Sequence, residues 1–326
     1  MLPLTRSIID TEDFIFASAA EAPSNRVALL LAGGDGKRLQ DLTREIAGAP
    51  IPKQYCRLLR GSSLLEATVS RAHLFAPRER ITVIVNRNHL ALARDQLRTL
   101  PESNVFVQPL NRDTGPGLAF ALLQLEKTHP DAIVAAFPTD HYIDDDREFI
   151  ANVLHAVNLV SRLPDKIAIL GIPPDRPETG YGYIVPDGPL GAYAKAYGVK
   201  AFTEKPSAAG ARNIVSRGGL WNTFVMVFRI SRMLELLCEY FPDDLYMLSL
   251  LRNSPEKAAD VYKAIGAWNL SAQVLARIPK HLILIEVANV RWSDWGTRES
   301  VERTYRALNL VPCWNSAMCV PAADPR

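Results

Sequence analysis

A glycine-rich segment directly follows the first long apolar run of the chain. It reads A-G-G-D-G-K-R-L at residues 32–39, after the run Arg26–Ala32. Its glycines let the backbone approach a ligand and turn N–H groups toward it, and Lys37 and Arg38 add positive charge. Neither the G-x-G-x-x-G nor the Walker pattern fits, because Leu39 and Arg38 occupy required Gly and Ser/Thr positions. We expect a polyphosphate ligand here; the alternative is a plain strand-to-loop turn.

Two aspartates follow predicted strands and are candidates for binding a divalent cation. Asp140 lies in P-T-D-H after the apolar run Ala132–Phe137, and Asp294 lies in W-S-D-W-G after His281–Val287. Ligands of open α/β sheets bind beyond the carboxyl ends of strands, and Mg²⁺ commonly takes one or two carboxylates besides substrate phosphates. The alternative for Asp140 is a helix N-cap, and sequence spacing leaves open whether the two aspartates meet.

Three further motifs carry polar side chains or flexible backbone. P-I-P-K-Q at residues 50–54 could hold Lys53 toward the glycine-rich segment, or leave it as a solvated lysine. E-T-G-Y-G-Y-I at residues 178–184 combines glycines with aromatic rings and a carboxylate, and F-T-E-K-P at residues 202–206 ends a predicted strand. Adjacent strand residues point to opposite faces, so Glu204 and Lys205 reach one pocket only if the chain bends near Pro206.

Segments with strand and helix patterns alternate up to about residue 171 and must position these motifs. The predicted strands are Arg26–Ala32, Ile81–Asn86, Asn104–Gln108, Ala132–Phe137, Lys166–Gly171, Gly198–Glu204, Leu220–Phe228 and His281–Val287. The predicted helices between the early strands are Ser63–Phe75, His89–Leu100, Gly115–Lys127 and Arg147–Leu163. This alternation predicts βαβ units in an α/β fold with a mostly parallel sheet.

The composition excludes several classes of protein. The 326 residues are 48% hydrophobic and 22% charged, with a net charge of +2. These values argue against disorder and a coiled coil, and they give no long-range attraction to nucleic acid or anionic membrane. No apolar run approaches the roughly 20 residues of a membrane helix.

The pattern predicts one catalytic domain over residues 26–311 between two terminal segments. Residues 1–25 are expected to be an N-terminal extension rather than a signal sequence, and residues 312–326 a C-terminal tail. Within the domain, residues 26–171 are the predicted nucleotide-binding half and 172–311 the sugar-binding half. The four cysteines lack metal or redox spacing, which fits reduced thiols and a cytoplasmic location.

The ordered motifs resemble those of the sugar-1-phosphate nucleotidyltransferases over about residues 26–300. Residues 33–39, 52–54, 111–116, 138–141, 178–184, 202–206 and 292–296 resemble the family's G-G-x-G-x-R-L, P-K-Q, R-N-T-A-P, P-S-D-H, E-T-G-Y-G-Y-I, F-x-E-K-P and W-S-D-x-G. The resemblance implies a Rossmann-like (GT-A-like) three-layer α/β/α fold with a mixed, mostly parallel central sheet. It also implies Mg²⁺ as cofactor, an NTP and a hexose 1-phosphate as substrates, and a possible homodimer.

The resemblance also implies roles for individual residues. The implied catalytic residues are Arg38, Lys53, Asp140, Lys205 and Asp294, with Asp140 and Asp294 binding the metal. The implied nucleotide-binding residues are Ala32, Gly33, Gly34, Asp35, Gly36, Gln108, Asn111, Arg112 and Thr114. The implied sugar-binding residues are Gly180, Tyr181, Gly182, Glu204 and Asn222. The expected reaction is an in-line attack on the α-phosphorus of the NTP with loss of pyrophosphate.

Within the family, the motifs are most similar to those of the branch that makes GDP-mannose from GTP and mannose 1-phosphate. Several departures keep other substrates open. Asp113 and Gly115 replace the family's Asn and Ala, and Phe224 replaces a glycine in a W-N-S-G motif. Trp295 replaces a small or aliphatic residue, and the segment between Leu39 and Pro52 is longer than the family pattern.

Two other functional classes compete with this interpretation. Asp144–Asp146 could be the metal-binding D-x-D of a glycosyltransferase, although an acidic run before a helix is more often a solvated first turn. A non-catalytic paralogue that binds a nucleotide sugar and regulates a partner would be indicated by loss of the charged residues, and Arg38, Lys53, Asp140 and Asp294 are all present.

Overall fold

The computed structural model describes residues 25–59, 61–191, 193–312 and 314. The predicted N-terminal extension up to residue 24 and the predicted tail beyond residue 312, except for residue 314, lie outside these ranges, as do Cys313 and Cys319. In the ranges described, no helix is both long and apolar enough to span a bilayer.

The observed strands agree closely with the predicted ones and add three. They are β1 (Arg26–Ala32), β2 (Ile81–Asn86), β3 (Val105–Gln108), β4 (Ile133–Pro138), β5 (Tyr142–Ile143), β6 (Ile167–Ile172), β7 (Gly182–Pro189), β8 (Ala196–Glu204), β9 (Leu220–Arg229), β10 (Leu282–Glu286) and β11 (Trp292–Ser293). Strand β7 begins inside the E-T-G-Y-G-Y-I motif, whose glycines hid its strand pattern.

The helices lie mainly between these strands. They are α1 (Gln40–Ala47), α2 (Leu64–His73), α3 (Leu90–Arg94), α4 (Thr114–Thr128), α5 (Asp146–Arg162), α6 (Ala208–Ser216), α7 (Ile230–Tyr240), α8 (Pro242–Ser249), α9 (Ala258–Ala264), α10 (Leu270–Gln273) and α11 (Arg298–Ala307). A capping box between Ser63 and Glu66 fixes the start of α2. The side chain of Asp145 caps α5 and Asp146 is its first residue, whereas Asp144 precedes the helix and accepts a 2.8 Å hydrogen bond from the N–H of Arg291.

Nine strands form one mixed sheet in the order β3-β2-β1-β4-β9-β6-β10-β8-β7. Strands β1 to β4 pair in parallel, as does β6 with β10. Strand β9 runs antiparallel to β4 and β6, and β7 and β8 continue the antiparallel part. The predicted α/β fold is confirmed, with the parallel pairings concentrated in the first half of the chain.

Helices cover both faces of the sheet, which gives three layers. Alternate residues of β1 enter two separate cores, Ala28 and Leu30 on one face and Val27 and Leu29 on the other. The first core includes residues of α2 and α5, and the second includes residues of α4 and α7. Both faces of each central strand are therefore apolar, as expected for parallel strands buried on both sides.

A small second sheet brings the two aspartate motifs together. Strand β5 follows Asp140 directly, β11 precedes Asp294, and the two strands pair antiparallel through Trp292–Ile143 and Ser293–Tyr142. The ring of Trp295 is fully buried and stacks on Tyr142 at 5.3 Å between centroids. This packing explains why a large aromatic residue is accepted beside Asp294.

Candidate active site

A cavity of about 550 Å³ opens at the carboxyl ends of β1, β3 and β4. It collects motifs from along the whole chain. Its lining includes Gly33, Gly34, Asp35, Arg38, Gln108, Asn111, Asp113, Thr114, Asp140, Gly180, Tyr181, Gly182, Glu204, Lys205, Asn222 and Asp294. Most of the residues predicted for catalysis, nucleotide binding and sugar binding therefore surround one space, which we call the catalytic cavity.

The glycine-rich segment lies against the P-K-Q motif, as the sequence suggested. Gly36 has a left-handed backbone (φ 59°), and a side chain there would lie 2.9 Å from backbone atoms of Pro52 and Lys53. Gln54 donates a hydrogen bond of 2.7 Å to the carbonyl of Gly34. A side chain at Gly33 would lie 2.6 Å from the amide nitrogen of Gln108. Contacts with two other segments thus require glycine and fix the shape of this loop.

Lys53 lies beneath the cavity and joins the two aspartate motifs. Its side chain is only 6% exposed, and Nζ lies 3.3 Å from Oδ2 of Asp140. Nζ also donates to the carbonyl oxygens of Asp294 and Trp295. The alternative of a solvated lysine is therefore wrong. The ammonium of Lys53 contacts the two aspartate motifs directly. A buried cation held by three acceptors has little freedom to move.

The two predicted metal ligands are charged groups held from several directions. Burial raises the pKa of Asp140, but the charges of Lys53 and His141 outweigh it and leave the pKa below its usual value. Asp294 accepts a 2.8 Å hydrogen bond from the backbone N–H of Gly296 and lies 3.6 Å from the guanidinium of Arg38. Burial is the largest influence on His141 and lowers the pKa of its ring, while the charge of Asp140 opposes that shift.

The donor set around Asp140 and Asp294 suits a cation that takes most of its ligands from elsewhere. Both carboxylates line the cavity, and in the described ranges no cluster of three or more His, Cys, Asp or Glu side chains could enclose a metal. Mg²⁺ characteristically uses one or two protein carboxylates and fills its octahedron with water and phosphate oxygens. The residues present therefore fit the predicted ion.

Glu204 and Lys205 line another part of the cavity, which we call the sugar end. Lys205 has a left-handed backbone (φ 46°), and this bend after β8 lets both neighbours line the same cavity. Burial raises the pKa of Glu204, and the ammonium of Lys205, 3.5 Å away, opposes that rise. A side chain at Gly182 would lie 2.7 Å from the Glu204 carboxylate. The bend needed near Pro206 is therefore present.

Asn222 also lines this end, although Phe224 replaces the glycine that follows it in the family motif. Phe224 takes the left-handed conformation itself (φ 60°), and its N–H donates 3.0 Å to the side chain of Asn222. The backbone bend is therefore kept without a glycine, at a conformational cost that the surrounding strand pairing of β9 must offset.

The turn that connects β3 to α4 forms the end of the cavity nearest the glycine-rich segment. Gln108 is 2% exposed, and its Oε1 is buried without a hydrogen-bond partner among the residues described. A side chain at Gly117 would lie 3.0 Å from that oxygen. A buried acceptor without a donor is unfavourable, so a ligand N–H is the natural partner at this position.

Some functional positions were not predicted from the sequence. Asn269 and Ser271 line the cavity from a segment that carries no recognised motif. Asn269 donates a 3.2 Å hydrogen bond to Asp113, and the Trp268 ring occupies the space a side chain at Gly115 would need. The departures at residues 113 and 115 are thus matched by contacts from a segment about 150 residues later. A pairing so distant in sequence leaves no signal in local patterns.

Four residues predicted for the site are not in the lining of the cavity. Lys53 and Ala32 are buried beneath it, and Gly36 supports the loop from behind. Arg112 points elsewhere: its guanidinium donates to the carbonyls of Tyr262 and Lys263 at 2.6 and 3.2 Å. The structure therefore gives the side chain of Arg112 an anchoring contact on α9, away from the lining of the cavity.

Comparison with protein families gives one extended match. The nucleotidyl transferase family model matches residues 27–309, which include every motif described above. Among solved structures, one described as a mannose-1-phosphate geranyltransferase from Thermus thermophilus superposes with a TM-score of 0.76. It is 29% identical, and the match covers 86% of this chain and 79% of that one.

Curated relatives are similar over about two thirds of this chain. The alginate biosynthesis protein AlgA of Pseudomonas aeruginosa is 32% identical over 232 residues, 70% of this chain and 47% of that protein. A mannose-1-phosphate guanylyltransferase of Escherichia coli K12 is 34% identical over 230 residues, 68% of this chain and 46% of that protein. The chain spans about half the length of the curated relatives it matches.

Proposed function

The chain belongs to the nucleotidyl transferase family, and we propose that it joins an NTP to a hexose 1-phosphate with release of pyrophosphate. The observation that carries this proposal is that both aspartate motifs contact the buried ammonium of Lys53. This buried cation holds the Asp140 and Asp294 motifs together under a glycine-rich loop, while Glu204 and Lys205 face them across one cavity. The catalytic cavity thus offers separate places for a triphosphate and for a sugar phosphate.

The transfer is an in-line displacement in which the protein positions and neutralises charge. A phosphate oxygen of the sugar 1-phosphate bonds to the α-phosphorus, and the bond from that phosphorus to the bridging oxygen of pyrophosphate breaks. We expect Arg38 and the N–H groups of the loop at residues 33–36 to hold the triphosphate, which their presence in or beside the cavity lining supports, and Lys53 to support the aspartate motifs from below. Fixed charges of this kind lower the barrier because they need no reorganisation during the reaction.

We further propose that Asp140 and Asp294 would hold Mg²⁺. When bound, this ion supplies positive charge to the non-bridging phosphate oxygens. The pKa of Asp140 lies below its usual value because Lys53 and His141 favour its charged form, so the ligand is ionised at neutral pH. Lys205 is 59% exposed at the sugar end of the cavity. We expect its ammonium to contact the phosphate of the sugar substrate, and the carboxylate of Glu204 to contact the hydroxyl groups of the sugar.

GTP and mannose 1-phosphate are the substrates we propose. Relatives named as mannose-1-phosphate guanylyltransferases support this pair. Within the cavity, the buried acceptor of Gln108 can receive an N–H of guanine, but every nucleobase presents such a donor, so this contact does not select among the NTPs. Another NTP or another hexose 1-phosphate is the alternative, since Asp113 and Gly115 depart from the family pattern. We also propose that residues 26–171 mainly bind the nucleotide and 172–311 mainly bind the sugar.

The test is pyrophosphate release with Mg²⁺ across four NTPs and several hexose 1-phosphates. We expect release that requires both GTP and mannose 1-phosphate, and none from the Asp294→Asn protein. Release with a different pair would keep the reaction and replace the substrates. No release from any pair, with GDP-mannose still bound, would overturn the proposed reaction and favour a regulatory paralogue.

A further inference from the structure

A second cavity, of about 480 Å³, lies on the other side of Trp292 from the catalytic cavity. The loop after β6, strand β11 and helix α11 form its walls. We call it the arginine cavity, because it is lined by Arg176, Arg291, Arg303 and Arg306, together with Tyr142, Ile172, Pro173, Asp175, Trp221, Val290, Trp292, Ser293, Ser300, Thr304, Ala307 and Leu308. Of the motifs of the proposed reaction, only Trp221 and the Trp292-Ser293 pair reach it.

The lining of the arginine cavity has an excess of positive charge. Four arginines line it, and Asp175 is the carboxylate among the lining residues. That carboxylate is already bonded to Arg176 at 2.7 Å. Outside the lining, Glu299 pairs with Arg303 at 2.7 Å and Asp144 with Arg291 at 3.8 Å, so among the described residues the positive charge without a carboxylate partner lies on Arg306, where an anionic ligand would supply one.

Part of the hydrogen-bonding capacity of these arginines is unused. The Nε of Arg176 is buried, and among the residues described it has no hydrogen-bond partner. Arg176 and Arg303 share the carboxylate of Glu178 at 3.7 and 3.9 Å, both too long for hydrogen bonds. No ion pair joins Arg306 to any residue in the ranges described. The guanidinium groups therefore retain donors for a ligand with several acceptor oxygens, such as a phosphate.

The remaining walls indicate what the phosphate would be attached to. Trp221 forms one wall, with the Arg176 guanidinium 5.3 Å above its ring, and Ile172, Val290 and Leu308 add apolar surface. The volume is typical of sites for small molecules, and a combination of aromatic and hydroxyl groups suits a compact organic body. These features favour a small phosphate ester over a polymer, which needs an extended charged groove.

From this combination we propose that the arginine cavity binds the phosphate group of a small phosphate ester. The site would be coupled to the catalytic cavity through Glu178. The Glu178 carboxylate accepts a 3.3 Å hydrogen bond from the N–H of Gly180, which lines the catalytic cavity. A phosphate between Arg176 and Arg303 competes with Glu178 for both cations, and so changes the support of the sugar-side loop. Only this coupling rests on the proposed function; the binding does not.

Binding can be measured directly on the full chain by isothermal titration calorimetry, without any substrate pair. The probes are inorganic phosphate, glucose 6-phosphate and GMP. Glucose 6-phosphate lacks the anomeric phosphate that the proposed reaction uses. We expect Arg303→Gln and Arg306→Gln each to weaken the affinity of the arginine cavity for the phosphate probes at least about tenfold, because each removes a charged donor. Arg38→Gln, which alters the catalytic cavity, should leave the affinity of the arginine cavity unchanged.

Matched variants separate a ligand site from a structural role. Arg212→Gln removes an exposed arginine on α6 that lines neither cavity, and it should bind every probe like the unaltered protein. Arg303→Lys keeps the charge and should retain part of the affinity. If Arg303→Gln lowers the melting temperature, the exposed Arg306→Gln still tests the proposal.

The preferred probe identifies the class of ligand. Tighter binding of glucose 6-phosphate than of inorganic phosphate or GMP indicates a sugar phosphate, and tighter binding of GMP indicates a nucleotide. The proposal would be overturned if the affinities for all three probes were the same in Arg303→Gln, Arg306→Gln and the control Arg212→Gln. That result would leave the proposed reaction untouched, because pyrophosphate release is measured separately.

Discussion

The two ends of the catalytic cavity hold their charges in different ways. At the aspartate end, Lys53 is 6% exposed and contacts one carboxylate and two backbone carbonyls. At the sugar end, Lys205 is 59% exposed, and its one ion pair within the described ranges joins it to the neighbouring Glu204. Both lysines come from family motifs, yet the fold immobilises only the first.

This difference suggests a division of labour between the ends. A buried cation with several acceptors is pre-positioned, so it can stabilise charge that develops during a reaction. An exposed cation on a bent strand end keeps its hydration until a ligand arrives, so it contributes mainly to binding. We therefore expect the aspartate end to govern turnover and stability, and the sugar end to govern affinity for the sugar phosphate.

The largest effect is expected at the two aspartates. Asp140→Asn and Asp294→Asn should each reduce kcat by about a hundredfold or more, because each removes a charge at the proposed metal site. The fold should persist in both, although Asp140→Asn should also lower the melting temperature, because it leaves the buried Lys53 ammonium with only its two carbonyl acceptors. Pyrophosphate release and circular dichroism measure the two outcomes. Asp260→Asn, at an exposed aspartate outside the cavity, is the control, and full activity in either cavity variant would refute the metal assignment.

An intermediate effect is expected where Trp268 packs against Gly115, at the turn that connects β3 to α4. A methyl group at Gly115 would lie 1.8 Å from the Trp268 ring, so Gly115→Ala should destabilise the protein by about 1–3 kcal/mol through overpacking. Gly34→Ala meets nothing within 4 Å and should leave the free energy of unfolding nearly unchanged. Urea unfolding compares them. Equal stabilities would show that the Trp268 contact does not constrain this end.

The smallest effect is expected from the titration of Glu204. Burial raises the pKa of this carboxyl in the folded protein above its unfolded value of 4.5. The folded state therefore binds the proton more tightly, and ionised Glu204 costs stability at pH values above the folded pKa. Below the unfolded pKa this cost is absent.

Glu204→Gln should accordingly raise the melting temperature slightly at pH 8 and leave it unchanged at pH 4. Differential scanning calorimetry at both pH values checks this expectation. Glu239→Gln, outside the cavity, controls for the loss of one negative charge. A lower melting temperature for Glu204→Gln at pH 8 would show that the ion pair with Lys205 outweighs the burial.

Local patterns in the sequence predicted much of the fold and most of the cavity. The apolar runs located eight strands of the sheet, and the resemblance to a known family named Asp140, Asp294, Glu204 and Lys205 as site residues. The structure brings them to one cavity, although sequence spacing left open whether the two aspartates meet. Strand β7 was not predicted because glycines interrupt its alternating pattern. The antiparallel half of the sheet was not predicted either, because it depends on strand pairings that no local pattern encodes. The contact of Trp268 with Gly115 could not be predicted for the same reason.

Backbone conformation was the other property that residue types alone did not determine. Phe224 and Lys205 both adopt positive φ, a conformation in which glycine is the usual residue. Tertiary packing decides such positions, and here it turns Lys205 into the cavity and keeps the bend after Asn222. The burial of Lys53 likewise follows from the pairing of β5 with β11, which joins motifs about 150 residues apart.

The most direct test compares Lys53→Met with Lys205→Met in one set of measurements of melting temperature, kcat and KM. Lys53→Met leaves the carbonyls of Asp294 and Trp295 without their donor and the 36% exposed Asp140 without its ion pair, so it should lose about 1–3 kcal/mol of stability and most of its kcat. Lys205→Met should keep the melting temperature and raise KM for the sugar 1-phosphate. A Lys53→Met protein with unaltered stability and kcat, beside a Lys205→Met protein that has lost both, would contradict the assignment of chemistry to the buried end.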